Sequence, residues 1–159
     1  VILAIDPGPK ESAYALLDRD LSIREHGKVD NEEMLLVIEA SLFCKAAKYF
    51  VIEMVASYGM AVGADVFETV FWTGRFWQAA NIEHRYRIYR KDVKLNLCLD
   101  SRAKDSNIRQ ALIDRFGPIG TKKNPGWFYG VSKDVWSAIA LGVTFADLYL
   151  NKDERRAIK

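Results

Sequence analysis

Two short apolar runs, each carrying one carboxylate at the same depth, constrain this chain more than any other feature. Val1 to Ile5 is unbroken apolar sequence that stops at Asp6-Pro7-Gly8-Pro9. Tyr49-Phe50-Val51-Ile52 repeats the pattern and leads into Glu53, with Met54 and Val55 beyond it. Apolar runs of this length bounded by turn residues read as buried strands. A sheet built on such strands has to be covered by helices.

The chain has the material for one such domain. It has 159 residues, half of them hydrophobic, with 23 Lys plus Arg against 21 Asp plus Glu. That balance excludes a disordered tail, a collagen-like fibre or a mucin-like stalk. Cys44 and Cys98 are far apart with only two histidines to help, so neither a disulfide scaffold nor a zinc site is signalled. No stretch approaches the ~20 apolar residues of a membrane span. The opening run meets Asp6 too early for a signal peptide. The expectation is a soluble, cytoplasmic protein with no membrane partner.

After the first strand, residues 12–17 and 21–29 predict two more strands joined by short turns, an antiparallel meander. Asp30 or Asn31 caps a helix whose apolar residues are Leu35, Leu36, Ile38, Leu42 and Phe43. The Glu53 strand follows, then a helix over 64–80 with Val66, Phe67, Val70, Phe71 and Trp77 on its apolar side. Residues 84–89 read as a fifth strand, 92–98 as a short helical turn, 105–116 as a helix and 117–126 as a loop. A last helix runs over 132–150. The predicted architecture is α/β: a five-stranded mixed sheet, a three-strand antiparallel meander plus two parallel strands, flanked by helices. Residues 1–150 form the domain and 151–159 a charged tail.

Charge is segregated along the chain. Residues 1–83 carry 7 basic and 13 acidic side chains, and residues 84–123 carry 11 basic and 4 acidic, a net +7. Such a segment attracts a polyanion, or forms a solvated positive face.

Three acids stand apart from the rest. Asp6 closes the first strand, Glu53 lies in the fourth, and Asp134 opens the last helix. If the first and fourth strands are parallel neighbours, Asp6 and Glu53 emerge at one end of the sheet, within reach of a helix presenting Asp134. Like charges gathered this way call for a neutralising cation, and oxygen ligands select a hard ion such as magnesium or manganese. Taken singly, each has a plain alternative: a turn residue, a strand-end surface carboxylate and a helix N-terminal acid.

Val-Ile-Leu-Ala-Ile-Asp-Pro-Gly at 1–8, Phe-Val-Ile-Glu at 50–53 and Lys-Asp-Val-Trp-Ser-Ala-Ile-Ala-Leu-Gly-Val-Thr at 133–144 resemble the three carboxylate-bearing segments of RuvC-type Holliday junction resolvases, within the RNase H-like superfamily. The order of elements resembles that family over nearly the whole chain. The resemblance implies an RNase H-like fold and a Mg2+-dependent endonuclease, with Mn2+ as substitute, that cuts branched or four-way DNA through two metal ions about 4 Å apart. By motif match Asp6, Glu53 and Asp134 are the catalytic acids and metal ligands, with Asp6 bridging. The family's fourth acid falls at Ser137, a departure that removes one charge. The resemblance also implies a homodimer, since a four-way junction has two symmetric cleavage points; surplus aromatic residues Phe71, Trp72, Phe76 and Trp77 are candidates for the contact.

Arg85, Arg87, Arg90, Lys91, Lys94, Lys122 and Lys123 are the candidate nucleic-acid-binding residues, with Tyr58, just after the Glu53 strand, to meet the junction centre. Three alternatives remain: a binding module of this fold with weakened catalysis, a RuvC-like nuclease of RNA processing, and a phosphotransferase of the sugar kinase and actin type. The last needs a second domain that 159 residues do not supply.

Overall fold

A computed structural model describes residues 1–43 and 46–150. The expectations for Cys44 and for the charged segment 151–159 lie outside the described residues, as do the side chains of Leu42 and Phe43. The apolar runs form strands where predicted: β1 (Ile2–Asp6), β2 (Glu11–Leu17), β3 (Ile23–Asp30), β4 (Tyr49–Met54) and β5 (Arg85–Tyr89). They build one sheet in the order β3-β2-β1-β4-β5. β1 pairs antiparallel with β2 and β2 with β3, while β1–β4 and β4–β5 are parallel.

Helices cover both faces because the inner strands β1, β2 and β4 are apolar on both. Leu3, Ile5, Leu16, Phe50 and Ile52 face α1 (Asn31–Phe43) and α2 (Ala64–Ala79), meeting Met34, Ile38 and Phe76. Ile2, Ala4, Ala13, Ala15, Val51 and Ile88 face α5 (Val135–Phe145), flanked by α3 (Arg90–Cys98) and α4 (Asp105–Phe116). α5 is buried along almost its whole length. It lies so close to the sheet that a Cβ on Gly142 would meet Leu17 Cδ1 at 2.5 Å and Ala4 Cβ at 3.3 Å. Small residues at Ala138, Ala140 and Gly142 therefore set the depth at which this helix docks.

Several local expectations change. The last helix begins at Val135, three residues later than predicted, and its final turn, Ala146–Leu150, is π-helical. The turn at 92–98 is a full helix from Arg90. On α1 the buried apolar residues are Met34 and Ile38, and Leu36 points out at 64% exposure. The larger correction is α2. Its core-facing row is Thr69, Thr73, Phe76 and Ala80, while Phe67, Val70 and Phe71 face outward. Each threonine hydroxyl donates to the carbonyl four residues back, Asp65 at 2.8 Å and Thr69 at 2.7 Å. The hydroxyls are thus satisfied within the helix and the methyls pack inward, which hydrophobic counting misses. Trp72 and Trp77 are half-buried against the core and Phe76 is fully buried, so of the four candidate dimer aromatics only Phe71 is exposed.

Candidate active site

The register of the parallel pair sets the site. Ile5 lies opposite Ile52, so the next residues, Asp6 and Glu53, are neighbours at the C-terminal ends of β1 and β4. Side chains alternate along a strand, and Asp6 and Glu53 share the parity of Ala4 and Val51. Both therefore project from the face that α5 covers.

The chain turns sharply after Asp6. The Gly8 N–H donates to Ser12 Oγ at 3.1 Å, Ser12 donates to Asn31 Oδ1 at 2.6 Å, and Asn31 Nδ2 donates to the Gly8 carbonyl at 2.9 Å. A Cβ on Gly8 would come within 2.3 Å of the Glu11 carbonyl oxygen, so only glycine fits this turn. Buried Ser12 and Asn31 thus hold the end of β1 in place. Asp30, not Asn31, caps α1, accepting from the Glu33 N–H at 3.0 Å.

α5 brings Asp134 and Ser137 over this end of the sheet. Asp134 is the residue before the helix, yet its carboxylate does not cap it. It pairs instead with Lys28 of β3 at 2.8 Å, and Lys28 also reaches Glu11 at 3.1 Å. One turn on, the Ser137 hydroxyl is near enough to Asp6 to favour its ionised form, the smallest of the influences on it. Lys28 pairs across β2 through Ala13, which itself pairs with Asp6, so cation, alanine and the two acids form one row across the sheet. Lys28 escaped the sequence reading because its link to the acids exists only through cross-strand register.

Electrostatics mark Asp6 as the centre. Burial, then the charges of Glu53 and Asp134, push its pKa from 3.8 up to about 7, against the pull of Arg90 and Ser137. Glu53 is raised too, mainly by burial, while Arg90 opposes the shift. Arg90 Nη1 donates to Glu53 Oε2 at 3.2 Å and its Nη2 to Asp105 Oδ1 at 2.6 Å. A cavity of about 280 Å³ opens beside these groups, lined by Arg90, Asp105, Arg109, Lys133, Asp134 and Ser137 among others.

The candidate nucleic-acid-binding residues divide by sheet face. Arg85 and Arg87 alternate with inward-facing Ile88 and so lie on the opposite face from the acids. Arg85 donates to the Trp77 carbonyl at 3.0 Å and both guanidinium groups lie over the Trp77 ring. Arg90 is drawn into the acid cluster, and Lys94 is near enough to Glu53 to act on its charge. Lys91 lines an open hollow with Tyr58 and Tyr89. Tyr58 is 62% exposed, and Lys122 and Lys123 are exposed in the loop after α4.

Asp6, Glu53, Asp134 and Ser137 offer only oxygen, the donor set of a hard divalent cation. A buried acid held near neutrality by two other acids is a place where such an ion would relieve charge. The fit is to an ion at Asp6. As the side chains stand, Glu53 is engaged by Arg90 and Asp134 by Lys28, and among the described residues no three acidic, histidine or cysteine side chains converge as a ligand group.

A mixed sheet in the order β3-β2-β1-β4-β5, covered by helices on both faces, is an RNase H-like fold, and its architecture is like that of solved RuvC structures. The chain matches RuvC of Thermus thermophilus in complex with a Holliday junction substrate at a TM-score of 0.71 and 14% identity, covering 96% of this chain and 95% of that one. It matches another Thermus thermophilus RuvC structure at a TM-score of 0.65 and 17% identity, covering 96% of each. No family model matches the sequence, and no curated protein matches it.

Proposed function

We propose that this protein is a divalent-metal-dependent endonuclease that cuts branched DNA, four-way junctions among its substrates. The observation that carries the proposal is the gathering of Asp6, Glu53, Asp134 and Ser137 from three separate segments at one end of a RuvC-type sheet. The solved relative's Holliday junction complex points to the substrate class.

A bound Mg2+ or Mn2+ would supply positive charge to the phosphate and acidify a water. Asp6, with Glu53 and Asp134 beside it, would hold that ion. Ser137 favours the ionised form of Asp6. Lys133 and Arg109, exposed at the adjoining cavity, attract the phosphodiester backbone. Lys91, Lys94, Lys122 and Lys123 extend the positive surface, and Tyr58 and Tyr89 offer faces on which an unpaired base can stack. A four-way junction is two-fold symmetric, which suits a homodimer. The outward apolar row Phe67, Val70 and Phe71 of α2 is our candidate for its contact.

Incubation with matched four-way, flap, duplex and RNA substrates, with Mg2+, Mn2+ or chelator, tests the proposal. Metal-dependent cutting of the branched DNA is expected. Binding without cutting under every metal would favour a binding module, and preference for RNA would reassign the substrate.

A further inference from the structure

Among the described residues, the guanidinium of Arg109 on α4 has neither a carboxylate partner nor a hydrogen-bond acceptor. Asp105 stands one helical turn before it, at the spacing where the two would pair. Arg90 takes that carboxylate instead, at 2.6 Å. Arg109 lies over the ring of Trp136 in α5, 4.9 Å from its centroid. Trp136 is only 6% exposed, so the indole is a fixed platform. A guanidinium stacked on such a face keeps its plane and leaves its N–H edges open to an acceptor.

Arg109 and Trp136 share the wall of the cavity with Lys133, Asp134 and Ser137, so the cavity adjoins the acid end of the sheet. The sum of charges there does not favour an anion. Asp6, Glu11, Glu53, Asp105 and Asp134 outnumber Lys28, Arg90, Arg109 and Lys133. Pairing separates these cations into two kinds. Lys28 is shared by Glu11 and Asp134, and Arg90 by Glu53 and Asp105. Arg109 and Lys133 line the cavity with no acceptor among the described residues. This wall therefore offers a ligand hydrogen-bonding geometry rather than net charge.

On the strength of the nuclease reading, we propose that Arg109 is a strand-positioning residue. Its stacked fork takes one backbone phosphate next to the cut through two parallel N–H···O bonds, with Lys133 beside it as a point charge. Trp136 fixes where that phosphate stops, and so which bond of the strand comes to rest at Asp6. Phosphate contacts of this kind set register without reading sequence.

The test uses four-way junctions that each carry one uncharged methylphosphonate in place of a phosphate near the crossover. Binding to the full chain is read by fluorescence anisotropy in chelator, and cut positions are mapped with Mg2+ or Mn2+. Arg109→Gln should bind unmodified DNA roughly tenfold more weakly. Of the positions at which the parent is sensitive, the variant should lose sensitivity at one alone, and its cuts should spread over neighbouring bonds. Arg109→Lys should recover part of the affinity and leave the cuts spread. An Arg109→Gln protein that keeps every sensitive position, or that binds and cuts as the parent does, overturns this inference and leaves the nuclease reading intact. Full recovery by Arg109→Lys also overturns it, because charge alone then suffices. No cutting by the parent under either metal overturns the nuclease reading, while loss of one sensitive position in Arg109→Gln would still support the contact. No binding by the parent overturns both. If Arg109→Gln does not fold, Arg109→Lys decides, and cuts confined to the parent's position overturn the inference.

Discussion

Asp6 ties charge, stability and chemistry together in one side chain. Its pKa is raised from 3.8 to about 7, so the folded chain binds a proton there that the unfolded chain has released. Stability of the metal-free protein therefore falls as pH rises from about 4 to about 7, and Glu53, also raised, acts in the same direction. Asp6→Asn removes the ionising group. Melting of the metal-free variant should lose most of this pH dependence and exceed the parent at pH 8, while cleavage drops on the order of 100-fold or more. Full cleavage by a folded Asp6→Asn protein would sink the functional reading. Ser137 supplies a second test. Its hydroxyl acts on the charge of Asp6, so Ser137→Asp would place a carboxylate near the position proposed for the ion. Calorimetry should show tighter Mg2+ and Mn2+ binding in this variant and a less stable metal-free protein, the added acid being repelled by Asp6.

Among the elements, α5 has the least room to change. Gly142 lets its backbone rest on Leu17 and Ala4, and the same docking depth places Ser137 near Asp6. Gly142→Leu should cost about 1–3 kcal/mol by overpacking and should also reduce metal affinity by lifting the start of the helix. Gly74 is the contrast, since a Cβ there meets nothing within 4 Å on the outward side of α2. Gly74→Ala should stabilise the fold by roughly 0.5–1 kcal/mol and leave metal binding alone, as urea unfolding and calorimetry would report. Equal losses in both variants would mean that docking depth is not what sets the site.

Taken whole, the molecule carries its acids and its apolar surface on different elements. Phe67 is 66% exposed, Phe71 59% and Val70 40%, side by side on the face of α2 turned away from the sheet. If a second copy covers this row, Phe71→Glu should shift sedimentation from dimer to monomer and lower cleavage of four-way junctions in paired strands. A parent protein that sediments as a monomer at micromolar concentration would reject the contact. Binding to junction DNA should weaken steeply with added salt, since each phosphate contact releases counterions. Charge reversal at Lys91 and Lys94 should reduce that slope, and reversal at Arg87, on the opposite face, should leave it nearly unchanged.

Sequence alone determined the strands, their order along the chain and which three acids, Asp6, Glu53 and Asp134, stood apart. Apolar runs and turn residues are local signals, and equal depth in two parallel strands becomes adjacency in space. What the sequence left open was decided by contacts between segments. The partners of Asp134 and Glu53, Lys28 and Arg90, lie 106 and 37 residues away along the chain, and no local pattern announces them. The same holds for the basic residues: composition put Arg85, Arg87 and Arg90 in one positive stretch, but strand alternation sends the first two to one face and the end of β5 turns the third into the acids. For α2, hydrophobicity named the outward face as the core, because a threonine whose hydroxyl is satisfied by its own helix packs like an apolar residue. Burial and charge pairing depend on which surfaces meet, and only the tertiary structure brings those surfaces together.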